Sequence, residues 1–229
     1  MKKSFLFFCF SLIIFWISAQ AHAIVINDPA NYNEMHLCDI WDTVLGDNFD
    51  GDSQALFESY GVDQDSWWYE TNGGIHAEVR YAGYAQAFGY ITDKGEKVTL
   101  AEDIAPGIHD ISQTPIDFQL DQGTTFVWFE YWKNQDYWYS DTTMNPDEKD
   151  HFVAFEVPEA LYPDYNPKDG KHRMFLLAFE DLSLGDQDYN DLVVLVNAVA
   201  PAPVPEPATM VLLGVGLIGL GGLRRKFIR

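Results

Sequence analysis

The chain has 229 residues, with 35 Asp and Glu against 14 Lys and Arg, and a formal net charge of −21 at pH 7. That balance excludes a nucleic-acid-binding surface, because phosphate neutralisation needs Lys and Arg, and it favours cations as partners. Aromatics at 15% and hydrophobic residues at 47% exclude a disordered acidic tail and supply a packed core.

In chain order, Lys2 and Lys3 precede an almost continuously apolar run from Phe5 to Ile17, and Ala21-His22-Ala23 follows. A positive start, a short apolar stretch and a small-x-small site predict a secretory signal peptide over residues 1–23, cleaved after Ala23 with Ala21 and Ala23 as the recognition pair. The working part of the chain is then exported. Cys9 leaves with the signal, so Cys38 remains without an intrachain partner, and its neighbours Leu37, Ile40 and Trp41 predict burial.

Residues 24–65 read as a helical and loop segment. Met35, Leu37, Ile40, Trp41, Val44 and Leu45 fall at helical spacing. Ser53 is placed to cap a second short helix through Leu56 and Phe57, stopped by Gly61. The loop between them sets Asn48, Asp50 and Asp52 at alternate positions, a polar loop that also has the spacing of a cation site.

From about Ser66 the texture is β. Trp67-Trp68-Tyr69 runs into Asn72-Gly73-Gly74, a hairpin turn signal. Ile75, Ala77, Val79 and Tyr81 then alternate with His76, Glu78, Arg80 and Ala82, and the segment continues through Tyr84, Phe88 and Tyr90. Further strands are predicted over 97–100, 124–132, 137–140, 151–157, 173–179 and 192–199. Turns are predicted at Pro106-Gly107, Asp121-Gln122-Gly123, Asn145-Pro146-Asp147 and Lys168-Asp169-Gly170. Phe126 to Phe129 and Leu192 to Val196 are apolar on both faces, as central strands are. Many strands with no alternating helices predict a mainly β domain over 66–199, an antiparallel, jelly-roll-like β-sandwich with one or two short N-terminal helices.

The densest polar cluster is Phe179-Glu180-Asp181-Leu182-Ser183-Leu184-Gly185-Asp186-Gln187-Asp188-Tyr189-Asn190-Asp191, between two apolar strands. Hard cations such as Ca²⁺ take six to eight oxygen ligands. Asp186, Asp188 and Asn190, two apart, can aim alternate side chains inward, and Asp191, Glu180 and Asp181 complete an oxygen shell. It is not an EF-hand, since Asp191 stands where Gly would and Asn197 where Glu would. A solvated acidic turn satisfying its own backbone amides has the same spacing.

Phe179-Glu180-Asp181 followed by Gly185-Asp186-x-Asp188-Tyr189-Asn190-Asp191-Leu192-Val193-Val194 resembles the closing signature of a bacterial domain-of-unknown-function family found in exported proteins and large repeat adhesins. Tyr81-Ala82-Gly83-Tyr84 with Phe88-Gly89-Tyr90, and Trp138-Tyr139-Ser140-Asp141 with Asn145 and Asp150-His151, are weaker echoes of it. The resemblance implies a β-rich domain with a calcium site, Asp150 and His151 approaching it, and no settled biochemical activity. His151 is assigned a structural hydrogen bond, because His is an unusual Ca²⁺ ligand.

Residues 200–206 are a stiff Pro-rich linker. Residues 207–229 hold an apolar, glycine-rich run from Ala208 to Leu223, closed by Arg224-Arg225-Lys226, which predicts a short transmembrane helix with its basic end cytoplasmic. Pro205-Glu206-Pro207, that segment and the terminal pair Arg224 and Arg225 together resemble the PEP-CTERM sorting signal of Gram-negative bacteria. The resemblance implies an exosortase-type partner, processing near the motif, delivery to the envelope surface or the matrix, and an association with exopolysaccharide and biofilm.

The resulting expectation is a non-catalytic, calcium-stabilised surface or matrix protein, membrane-anchored transiently or permanently by its tail. The alternative is a carbohydrate-binding module stacking sugars on Trp67, Trp68, Trp128, Trp132, Tyr137, Trp138 and Tyr139. A secreted hydrolase is a third reading. The chain has no Gly-x-Ser-x-Gly elbow, no His-Glu-x-x-His motif and no phosphate-cradling Gly-x-x-x-x-Gly-Lys.

Overall fold

The computed structural model describes residues 24–29, 34–62, 65–69, 72–81, 86–110, 115–132, 137–161, 173–181 and 184–202. The signal peptide with Ala21 and Ala23, the turn at 168–170, and the tail with Pro205, Glu206, Pro207, Arg224 and Arg225 lie outside them. Among the described residues no helix is long and apolar enough to cross a membrane.

Helix α1 spans Leu37–Leu45 and ends at Gly46, whose φ of 67° is left-handed and whose N–H returns to the Asp42 carbonyl. Its stripe of Leu37, Ile40 and Trp41 is fully buried, and Cys38 is buried beside it. Helix α2 spans Ser53–Tyr60. Its cap is Asp52 rather than the predicted Ser53, with the Asp52 carboxylate accepting the Ala55 N–H at 2.8 Å. Ser53 sits one position inside, buried, and donates to Asp28 Oδ1 at 3.1 Å. The helix starts one residue earlier than read because a carboxylate outcompetes the hydroxyl for the orphan amide.

Among the described residues eleven strands follow: β1 Trp68–Tyr69, β2 Asn72–Arg80, β3 Gln86–Thr92, β4 Lys97–Ile104, β5 Gly107–Asp110, β6 Ile116–Gln119, β7 Thr125–Trp132, β8 Tyr137–Tyr139, β9 Phe152–Glu156, β10 Arg173–Phe179 and β11 Leu192–Pro201. Every strand pairing is antiparallel. One half runs β4-β3-β7 with β8 on β7, and the other β9-β10-β11-β2 with β5 and β6 both on β2. Short β1 joins them, pairing Trp68 with Phe126 on one side and Pro201 on the other. The result is a nearly barrel-like antiparallel sheet.

Two apolar clusters explain the sequence pattern. The first lies between the halves and takes Phe88, Phe126, Trp128, Phe175, Leu177, Phe179, Val194 and Val196. The second lies between the outer face of β9-β10-β11 and the helices, and takes Leu37, Ile40, Trp41, Phe155, Leu176, Ala178, Val193 and Leu195. Alternate residues of β10 and β11 therefore serve different cores. This is why both strands read as continuously apolar, and why helices α1 and α2 pack into the same unit as the strands. Each fully buried Leu, Val or Phe contributes about 1.5–3 kcal/mol.

Three further sequence expectations are corrected. Asn72-Gly73-Gly74 is not a hairpin turn but the start of β2, and β1 pairs with β7 and β11 instead of β2. The run through Phe88 and Tyr90 is not a continuation of β2, because β3 belongs to the opposite half. A register shift opposite Leu195/Val196 sets Ala77 against Leu195 and Ile75 against Val196, leaving one extra β2 residue between. That bulge sends Ile75 into the first cluster and Val79 into the second, whereas simple alternation puts them on one face.

Candidate metal centre

Phe179 of β10 pairs with Leu192 of β11, so residues 180–191 are the connection closing two adjacent central strands. The connection folds in on itself through its own acids. Glu180 Oε2 accepts the Tyr189 N–H at 3.0 Å, Asp191 Oδ2 accepts the Asp181 N–H at 2.8 Å, and Asp188 Oδ1 accepts the Asn190 N–H at 3.3 Å. Leu184, Gln187 and Tyr189 take positive φ of 54°, 60° and 53°. Such non-glycine turns persist only where surrounding contacts over-determine them.

Those contacts come from two sides. The N-terminal segment reaches in with the Asn27 N–H on the Gln187 carbonyl at 2.9 Å and Asn27 Nδ2 on the Asp186 carbonyl at 2.6 Å. Asn190 Nδ2 answers by donating to the Met35 carbonyl at 3.0 Å. From the other side the Tyr189 hydroxyl donates to the Asp150 carbonyl at 3.0 Å, and His151 Nδ1 lies 2.9 Å from the Glu180 carbonyl. Asp150 and His151 thus reach the loop as expected. His151 is fully buried, stacked on Trp138 at 3.7 Å, with Nε2 3.1 Å from Asp147 Oδ2, so its role is a structural hydrogen bond. Asn145 pins the same region, its Oδ1 accepting the Tyr139 N–H at 2.7 Å and its Nδ2 donating to the Lys149 carbonyl at 2.8 Å.

Glu34, Asp186 and Asp188 each offer a carboxylate oxygen, and these atoms all lie within 4.8 Å of one another. That suits a calcium ion with oxygens at 2.3–2.6 Å, since opposed ligands then stand about 4.6–5.2 Å apart. Asp188 is 2% exposed and its Oδ2 has no hydrogen-bond partner among the described residues. Burial, then the Asp186 charge, pushes its pKa up to about 6. Asp186 is exposed and Glu34 half-buried, so the trio opens to solvent on one side.

Of the predicted ligands, the structure brings Asp186 and Asp188 together with Glu34, which no sequence signal marks. Asn190 is beside them, its amide holding the N-terminal segment. Glu180, Asp181 and Asp191 lie on the inward side of the loop. Glu180 is 2% exposed, and burial followed by the Asp191 charge pushes its pKa up to about 9. Burial also raises Asp181 and Asp191 above the usual carboxylate range. In the second candidate loop, Asp52 is occupied as the α2 cap.

The aromatic residues proposed for sugar stacking are mostly engaged. Trp68 and Trp128 are fully buried in the first cluster. Trp67 Nε1 donates to Asp141 Oδ2 at 2.7 Å. Tyr137 stacks on Tyr131 at 4.4 Å and on Tyr139 at 6.0 Å, with Lys97 Nζ 3.4 Å from its ring centroid. Tyr137, Trp138 and Tyr139 are half-buried.

Residues 115–199, ending at β11 just beyond the acidic loop, match the family model of a domain of unknown function, DUF4114. Residues 203–226 match the PEP-CTERM protein-sorting motif. The chain is therefore of the exported, envelope-associated kind that an exosortase sorts. No curated protein matches it. Among solved structures it is similar to the Chromobacterium violaceum lectin CV2L, crystallised with alpha-methyl-fucoside, at 16% identity and a TM-score of 0.37 over 62% of this chain and 99% of the lectin. It is also similar to a Ralstonia solanacearum high-affinity mannose-binding lectin, at 18% identity and a TM-score of 0.35 over the same shares. Likeness at that level transfers no ligand to this chain.

Proposed function

We propose that this protein is a non-catalytic cell-surface or matrix module whose β domain is closed by calcium at the 180–191 loop. The observation that carries the reading is the gathering of Glu34, Asp186 and Asp188 oxygens within 4.8 Å, with the buried Asp188 Oδ2 unpartnered. Apo, these carboxylates repel. With Ca²⁺ between them, the N-terminal segment, the loop and the strands it joins are tied together. The envelope outside the cytoplasm offers millimolar calcium, which suits a site open to solvent on one side. Exopolysaccharide is the partner the sorting route suggests, and the tail over 207–229 serves as a temporary or lasting membrane anchor.

Thermal unfolding of the full chain with millimolar calcium and with chelator, beside an Asp186→Ala, Asp188→Ala double variant, tests this. A calcium-dependent rise in midpoint that the variant loses supports the reading. An unchanged wild-type midpoint reduces the loop to a polar turn.

A further inference from the structure

Carboxylates from two distant parts of the chain meet at the Leu192 end of β11. Glu34 comes from the N-terminal segment, Asp186 and Asp188 from the 180–191 loop, and an oxygen of each lies within 4.8 Å of the others. Asp188 is 2% exposed and brings an Oδ2 without a hydrogen-bond partner among the described residues. A buried carboxylate oxygen without a partner costs free energy, which a cation relieves. Neighbouring hydrogen bonds fix the spacing beforehand: Asn27 donates to the Asp186 and Gln187 carbonyls, and Asn190 to the Met35 carbonyl.

As a cage for an ion the trio is incomplete. Glu34 and Asp186 can each give two oxygens at most, and Asp188 only Oδ2, since its Oδ1 accepts the Asn190 N–H at 3.3 Å. Calcium takes six to eight oxygens. The Met35, Asp186 and Gln187 carbonyls beside these ligands already accept N–H groups. The missing oxygens therefore come from outside the trio, on the side where Asp186 is exposed. The site also stands far from the point where the chain leaves for the sorting motif. That point is Ala202, whose N–H donates to the Trp67 carbonyl at 2.6 Å. The ten residues of β11 separate the two ends, which at about 3.4 Å per residue is roughly 30 Å.

Charge selects the outside ligand. Three carboxylates against one Ca²⁺ leave the site negative, in a chain of formal charge −21. A uronate, sulfate or phosphate group would add to that field. Two neighbouring hydroxyls of a neutral sugar ring replace two waters with no added charge, and because they are linked the second binds intramolecularly.

We propose that the calcium ion held by Glu34, Asp186 and Asp188 is a recognition element. Its solvent-facing positions take a pair of neighbouring hydroxyls from a neutral glycan, in preference to an acidic one. This rests on the calcium reading above and names the ligand class of that same site.

Terbium(III) in place of calcium, in substoichiometric amount on the full chain, tests it, because luminescence lifetimes in H₂O and D₂O count the waters on the ion. The probes are methyl glycosides of glucose, galactose and mannose, which between them offer cis and trans neighbouring hydroxyls, beside methyl glucuronoside and methyl galacturonoside. The expected result is a protein-bound ion carrying about two or more waters, of which a neutral glycoside removes about two and the acidic ones fewer. Asp188→Asn, or Glu34→Gln if that variant does not fold, should lose the bound ion. An ion that carries fewer waters, keeps them in all three neutral glycosides or yields them more readily to an acidic one overturns this proposal and leaves the calcium reading standing. An ion absent from the wild type, or retained in both variants, overturns the calcium reading and this proposal with it.

Discussion

Replacing Asp188 by Asn should reverse its sign with calcium. Asn keeps an oxygen for the Asn190 N–H but removes a charge held within 4.8 Å of Glu34 and Asp186 oxygens. In chelator that relieves repulsion and removes a buried charge, so the variant should unfold at or above the wild-type midpoint. In calcium the wild type gains about 2.7 kcal/mol at 100 times its dissociation constant. For a domain of 150–250 residues, about 2–4 °C per kcal/mol makes that a rise of about 5–11 °C, which the variant should largely lose. Calorimetry of both proteins in both conditions reads all four midpoints. Equal destabilisation by Asn with and without calcium would refute the reasoning, because it would make Asp188 a polar turn residue and nothing more.

Three further outcomes follow from the fold. Asp52→Ala removes the α2 cap and should cost about 0.5–2 kcal/mol, against a smaller loss for an exposed α2 substitution such as Glu58→Ala, read by urea unfolding. Gly89→Ala should destabilise by about 1–3 kcal/mol or more, because a Cβ there would meet the Val98 carbonyl oxygen at 2.1 Å and the Phe129 ring at 2.7 Å; an unchanged urea midpoint would show that β3 and β4 shift freely. Burial raises the Glu78 pKa, with His109 opposing, and Glu78 Oε1 is buried without a partner. An acid whose folded pKa exceeds its unfolded value binds more protons when folded, so its contribution declines as pH rises from the unfolded value through the folded one. Glu78→Gln should flatten that part of the stability-against-pH curve, and an unchanged curve would show that Glu78 ionises freely in the folded state.

Much of the domain was legible locally. Leu192 to Val196 announced a strand buried on both faces, because each face meets a different core. The stop at Gly61 followed from residue type. The loop acids were visible because five of their kind crowd one connection. What was not legible depends on partners distant in sequence. Asn72-Gly73-Gly74 looks like a hairpin turn, yet its backbone continues as β2 alongside β6 and β11. A bulge set by pairing with β11 moved Ile75 to the other face. Trp68 and Trp128 looked available to a sugar until the second half of the sheet covered them.

The sequence by itself determined the export route, the mainly β character, the two short helices and a crowded acidic connection. Each of these is written in residues adjacent along the chain, through hydropathy, turn chemistry and charge spacing. Only the tertiary structure decided which oxygens meet. Glu34 arrives from the N-terminal segment, its oxygen within 4.8 Å of those of Asp186 and Asp188. It carries no local signal, because an isolated carboxylate gathers with others only when folding brings distant segments together.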